Sequence, residues 1–346
     1  MALPELCILD VGHGNSAVIH AADGVVIVDA PLGLTLVELL LSRAITAIDT
    51  IIVSHADADH VQGVTSILLD DRFIVRVVLV NPDATKDTKT WNDFRRAVAV
   101  AKKRYDLQVS RDLGCDYPTI TFGATRVDIV GPSNILALSG PGGKELPEHG
   151  GRPISSNSLS AVVRVIHDDV PRALLTGDLD AVGLADLERC AVDLAAELLV
   201  FPHHGGHVPQ GDNANFADRL CRSVGATTVV FSLGRGKHRT PRPEIVRAVE
   251  AALPTAHVAC TQLSARCAAM NPNVERAHRL DAPSQGLERN TICLGTLVLE
   301  LATGRVSPDR HQHAAFVRAN VPTHLCLGGT ASSVTDDAES DKVLPT

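Results

Sequence analysis

The stretch Ser54-His55-Ala56-Asp57-Ala58-Asp59-His60 decides how this chain reads. It follows Thr50-Ile51-Ile52-Val53, an apolar run that predicts a buried strand. Val61-Gln62-Gly63-Val64 then begins a helix, so the cluster sits on a strand-to-helix loop where a rigid scaffold can make side chains converge. Four potential metal ligands fall between positions 55 and 60. Carboxylates crowded at a strand end repel one another unless a cation holds them. A divalent ion relieves that repulsion and uses the imidazoles as well. The bland alternative is a solvated acidic turn, and matching residues elsewhere in the chain count against it.

Those matches lie at the ends of other apolar runs. Asn157 and Ser160 open the run at 161–166, and Asp178 follows Gly177 after the run at 173–175. His203-His204 and two glycines close the run at 197–201. An isolated histidine pair is more often surface than ligand. Beside three matched strand ends the odds reverse, because ligands presented at neighbouring strand ends can meet in space.

Strands are further expected at 6–9, 17–19, 25–28, 48–53, 75–80, 119–122, 125–130, 228–232, 258–261 and 291–301, and helices at 34–42, 91–105, 184–194, 216–224 and 243–252. Alternating strands and helices, with strands in excess, predict an α/β layered architecture of sheets covered by helices. The basic residues Arg95, Arg96, Lys102, Lys103 and Arg104 read as a solvated helix face.

At 346 residues the chain is long enough for one large or two modest domains. Its formal net charge of −8 gives no global basic field, which argues against a dedicated nucleic-acid binder while leaving room for a nuclease with a local basic groove. Residues 1–8 lack the pattern of a signal peptide, and no run of about 18 apolar residues suggests a membrane span. The expectation is a soluble, cytoplasmic protein without membrane contact.

Five motifs in register carry a family resemblance. They are Asp10-Val11-Gly12-His13-Gly14-Asn15-Ser16, the set His55, Asp57, Asp59 and His60, the pair Asn157 and Ser160, Leu174-Leu175-Thr176-Gly177-Asp178, and Pro202-His203-His204-Gly205. In order and spacing, over roughly the first 245 residues, the chain resembles the metallo-β-lactamase fold hydrolases of the ComEC type, here without the membrane channel. The resemblance implies an αββα four-layer sandwich with a dinuclear metal site at one edge of the sheets. It implies one ion on His55, Asp57 and Asp178, and another on Asp59, His60, Asp178 and one histidine of the pair. His204 is taken as that ligand, with His203 supporting the site or touching substrate. Asp59 would also orient a metal-bound hydroxide that attacks a phosphodiester.

The chain departs from the pattern in places. Asp57 stands where most of the superfamily has His, as it does in the ComEC-type branch, and it makes the first half-site oxygen-rich, favouring manganese over zinc or weak binding. His13 and Asn15 replace the Gln and Asp usual in the turn. The downstream His-Pro is here Thr240-Pro241, after Lys237-His238-Arg239. Lys237, His238 and Arg239 are candidates to replace the missing substrate contact as phosphate binders, and a solvated basic loop is as good a reading.

The fold domain is assigned to 1–304, with an insertion at 262–290, a Cys/His-containing appendage at 305–328 and an acidic, disordered tail at 329–346. Cys260, Cys267, Cys293 and Cys326 fall in the last third of the chain. With His311 or His313 they are a candidate structural zinc site, although no tight Cys-x-x-Cys knuckle is present, and unliganded thiols are the competing reading.

Two functions follow. One is a hydrolase with two divalent ions, zinc or manganese, acting on nucleic acid or a nucleotide-like phosphodiester. The other is a regulatory module on the same fold with little chemistry of its own, its C-terminal part facing a protein partner or a second copy.

Overall fold

The computed structural model describes residues 3–236 and 238–328. Lys237 and the stretch 329–346 lie outside the described residues. The strands run β1 (Glu5–Ile8), β2 (Ala17–His20), β3 (Val25–Val28), β4 (Ala47–Val53), β5 (Ile74–Val80), β6 (Gln108–Ser110), β7 (Ile120–Phe122), β8 (Thr125–Gly131), β9 (Val162–His167), β10 (Val170–Leu175), β11 (Leu198–Val200), β12 (Thr228–Phe231), β13 (His257–Cys260), β14 (Leu297–Glu300) and β15 (Val306–Ser307). They form two sheets, one of order β15-β14-β1-β2-β3-β4-β5-β6 and one of order β13-β12-β11-β10-β9-β8-β7.

Alternation along the strands builds the layers. Leu6, Ile8, Ile19, Val26, Val28 and Ile52 point between the sheets, where they meet Val127, Val163, Val165 and Leu175. Their neighbours Cys7, Val18, Ile27 and Ile51 face outward under α1 (Thr35–Ser42), α2 (Ala58–Leu69) and α3 (Lys89–Arg104). The second sheet turns Leu174, Leu199 and Val229 outward. There they meet α5 (Ala181–Arg189), α6 (Asn213–Val224), α7 (Pro243–Ala252) and α8 (Arg310–Asn320), the short α4 (Asn134–Ser139) having come before them in the chain. This is the expected four-layer αββα arrangement, since each sheet and each helix stripe has an apolar face to bury.

Two boundaries differ from the sequence reading for local reasons. Helix α3 starts at Lys89 because the Thr88 side chain accepts a hydrogen bond from Trp91 N at 3.2 Å and caps it. The run at 291–301 becomes a strand only at β14. Before it, Ile292 makes a lone bridge with Gln262, and Gly295 takes a φ of 82° that turns the chain.

Within 305–328, β15 pairs with β14, and α8 buries Phe316 and Val317 against the outer face of the second sheet and its helices. Among the described residues, no helix is long and apolar enough to cross a membrane.

Candidate metal centre

The site forms where the parallel strands of both sheets end. Strand β4 delivers Ser54 and His55, and the first turn of α2 delivers Asp59 and His60. Asp178 follows β10, and His203 and His204 follow β11. The two sheets are tied at this point by Ala161 N donating to Ser54 O at 2.9 Å.

Gly177 allows the approach. A Cβ there would stand 2.2 Å from Ser160 Oγ, and its φ of 51° suits glycine. Ser160 Oγ in turn accepts from Asp178 N at 3.0 Å and fixes the carboxylate. His203 and His204 themselves hold φ values of 51° and 55°. Consecutive non-glycine residues in the left-handed region are uncommon, and such conformations cluster at functional sites.

Among the described residues, one group of His, Cys, Asp and Glu donor atoms comes within 4.8 Å of one another: Asp59, His60, Asp178 and His204. His60 Nε2 lies 3.3 Å from Asp178 Oδ1, and His204 Nε2 lies 3.3 Å from Asp59 Oδ2. The far nitrogens are engaged elsewhere. His60 Nδ1 is 2.7 Å from Asp29 Oδ2, and His204 Nδ1 is 2.6 Å from the Ser232 carbonyl. Those partners fix ring orientation and turn both Nε2 atoms inward, the arrangement usual for metal-binding histidines.

His55 and Asp57 make the other half. His55 Nε2 lies 3.6 Å from Asp57 Oδ2 and 3.8 Å from Asp178 Oδ2, while Asp57 Oδ1 forms an ion pair with Lys86. Asp178 thus divides its oxygens, Oδ1 toward His60 and His204 and Oδ2 toward His55 and His203. His203 Nδ1 donates to Asp178 Oδ2 at 2.9 Å, so His203 supports this carboxylate, and its ring is partly exposed. The Asn157 amide lies 3.3 Å from the same nitrogen.

The electrostatics describe a site short of positive charge. Burial works against a charged His60, yet Asp29, Asp178 and Asp59 outweigh it and hold the imidazole well above its ordinary pKa. Burial also works against a charged Asp178, but the His60 and His204 rings pull it well below the usual carboxylate range. Asp57 is held down to about 2, burial being outweighed by His55 and Lys86. His55 Nε2, Asp57 Oδ1, His60 Nε2 and Asp178 Oδ1 are buried without a hydrogen bond of proper geometry. Buried polar atoms are normally satisfied, so four orphans converging on one place mark room for a cation. Imidazole and carboxylate donors suit zinc or manganese, and the residues fit a divalent ion.

Three contributors were not singled out as site residues from sequence. Asp29 ends β3 as other ligands end their strands, and its Oδ1 accepts from Ser54 N at 2.7 Å. Lys86 arrives on the β5–α3 loop. His13 comes from the N-terminal turn, its Nε2 3.5 Å from Asp59 Oδ2. Burial, with His204 beside it, pushes His13 down to about 4. His238 stacks on His13 with ring centroids 4.4 Å apart, which brings the 238–241 loop to the mouth of the site.

The late cysteines gather elsewhere. Cys260, Cys267, Cys293 and Cys326 all line one cavity of about 20 Å3, and all are free thiols. His313 Nε2 stands 3.4 Å from Cys293 Sγ, and His313 Nδ1 stands 2.9 Å from His257 Nε2. They are not part of the 4.8 Å donor group.

Comparison with known proteins identifies the family. Residues 9–217 match the family model described as the metallo-beta-lactamase superfamily. No curated protein matches the chain. A metallo-beta-lactamase fold protein from Bacillus subtilis aligns at a TM-score of 0.44 with 12% identity, covering 74% of this chain and 96% of that one. A metallo hydrolase from the archaeon Ignicoccus hospitalis aligns at 0.41 with 14% identity, covering 73% and 94%. A diphosphatase of the PhnP family aligns at 0.38 with 12% identity, covering 70% and 90%.

Proposed function

The chain belongs to the metallo-β-lactamase superfamily, and from that premise we propose that it is a metal-dependent hydrolase of phosphodiesters, of the ComEC type. The observation that carries the proposal is the convergence of Asp59, His60, Asp178 and His204 with buried, unsatisfied donor atoms between them. A divalent ion in that group supplies a Lewis acid and acidifies a water near neutral pH.

The chain's own residues do the rest. Asp59 Oδ2, between His13 and His204, is placed to orient the attacking water. Asp178 links the two halves, and His203 holds its Oδ2. The mouth of the site carries His13, His203, His238 and Lys86, all at least partly exposed. The N–H groups of Lys86, His203 and His238 at this mouth can donate hydrogen bonds to an anionic substrate, which supports a phosphodiester, nucleic acid or nucleotide-like.

A substrate panel tests this: single-stranded and duplex DNA, RNA, cyclic nucleotides, bis-para-nitrophenyl phosphate and a β-lactam, each with manganese and with zinc. Cleavage of a phosphodiester that disappears in the Asp59→Ala/His60→Ala double variant is expected. Full activity in that variant, or turnover of the β-lactam alone, would refute it. The second reading, a module with little chemistry, draws on the Lys86–Asp57 ion pair in one half of the site. Less than about one equivalent of metal in the purified protein, with none regained on adding manganese, would favour it.

A further inference from the structure

We propose that Lys86 closes the His55/Asp57 half of the centre to a second cation, so that the resting protein holds one ion, at Asp59, His60, Asp178 and His204. This rests on the metal-hydrolase reading above and specifies how that site is occupied.

The first observation is the ion pair itself. Lys86 Nζ reaches Asp57 Oδ1, and only about a quarter of the lysine side chain is exposed. An ammonium has three donors and no acceptor, so it neutralises a carboxylate without offering anything to a metal. It also puts a positive charge where an incoming cation would have to sit. In a partly buried site that repulsion is poorly screened.

The second observation is that the lysine is delivered by a braced loop. Asp83 is 5% exposed, and its Oδ1 accepts from Thr85 N at 2.9 Å and from Thr85 Oγ1 at 2.6 Å. Its Oδ2 accepts from Ser156 Oγ, on the segment that leads into Asn157. Lys86 N donates to Asp83 O at 3.4 Å, and Thr88 caps α3 immediately beyond. A lysine on a free loop would lose much side-chain entropy in pairing with Asp57, and the brace removes part of that cost.

The third observation is the inequality of the halves. The donor group within 4.8 Å contains neither His55 nor Asp57. The half that lacks a lysine gathers four donors within that limit, whereas His55, Asp57 and Asp178 do not form such a group among the described residues.

The test is a count of metal. The full chain, stripped with chelator, is titrated with manganese alone and with zinc alone by calorimetry, and the bound metal is confirmed by elemental analysis. One tight equivalent is expected in the wild type and two in Lys86→Met. The double variant Lys86→Met/His55→Ala should return to one. Paired manganese ions would also change the electron paramagnetic resonance signal of Lys86→Met and not that of the wild type. Two tight equivalents in the wild type would overturn the inference while leaving the hydrolase reading standing. One equivalent in a folded Lys86→Met would do the same. No metal in either protein would overturn both. Should Lys86→Met lose its cooperative melt, Lys86→Gln takes its place with the same expected count.

Discussion

Asp29 Oδ2 lies 2.7 Å from His60 Nδ1, and the same carboxyl accepts from both the backbone and the hydroxyl of Ser54. One buried carboxylate therefore fixes the tautomer of a candidate ligand histidine and the end of the strand that leads to it. Strands β3 and β4 run parallel and adjacent, which places their C-terminal residues side by side.

That relationship predicts the effect of Asp29→Asn. The substitution keeps the shape and removes the charge that holds the His60 proton at Nδ1. Metal affinity should fall roughly 10–100-fold, as for other partners of metal-bound histidines. Calorimetric titration with zinc measures it, and an unchanged affinity would contradict the assignment.

Gly177→Ala tests the closeness of the sheets at the site. The added methyl would meet Ser160 Oγ at 2.2 Å, on a backbone with φ of 51°. Strain of this kind costs about 1–3 kcal/mol. Chemical denaturation should show that loss, and bound metal should fall with it because Ser160 positions Asp178.

Acid should weaken the C-terminal half through His257. Burial, with Arg310 nearby, lowers this imidazole to about 4, and its partner His313 is also lowered well below the usual range. Between that value and the ordinary one near 6.5 the unfolded chain binds more protons than the folded chain, so stability is complete above 6.5 and declines as pH falls toward 4. The decline attributable to His257 is about 3 kcal/mol at most. Melts of wild type and His257→Gln between pH 7.5 and 4.5 should differ in slope, the variant being shallower. Parallel curves would show that the ring is charged in the fold.

The thiols should divide sharply in reactivity. Burial raises Cys7, Cys221 and Cys293 to about 12, so these remain protonated at neutral pH. Cys115 and Cys190 are exposed. A chromogenic disulfide reagent should therefore titrate two of the eight cysteines quickly in the native protein and all eight in denaturant. Rapid loss of four more thiols would mean that the Cys260 cavity opens readily.

The layers, and the residues that meet at the candidate site, were legible in sequence because strand ends are punctuated. An apolar run that stops at His55, Asp178 or His203-His204 announces both a strand and what it presents, and the αββα order follows from the alternation of runs. The supporting residues were harder to see. Asp29 carries the same strand-end signature, but its role depends on which strand lies beside β3. Lys86 sits in a polar loop, and only the Asp83 brace aims it at Asp57. His13 meets Asp59 and His204 only after the first turn of the chain folds against α2 and the residues after β11. Pairings set by sheet order and loop packing leave no local pattern.

The N-terminal turn also carries a consequence for how the molecule comes into being. Asp10 is fully buried, and its oxygens accept from Gln262 Nε2 at 2.8 Å and Gly286 N at 3.0 Å. Strand β1 beside it pairs with β14, so Glu5 faces Glu300. Strand β1 is thus an interior strand that lacks one neighbour until β14 has been made. At roughly 5–20 residues per second that wait lasts on the order of tens of seconds. During it the apolar edge of β1 stays open and Asp10 stays in water, so this part of the fold is completed only when β14 arrives.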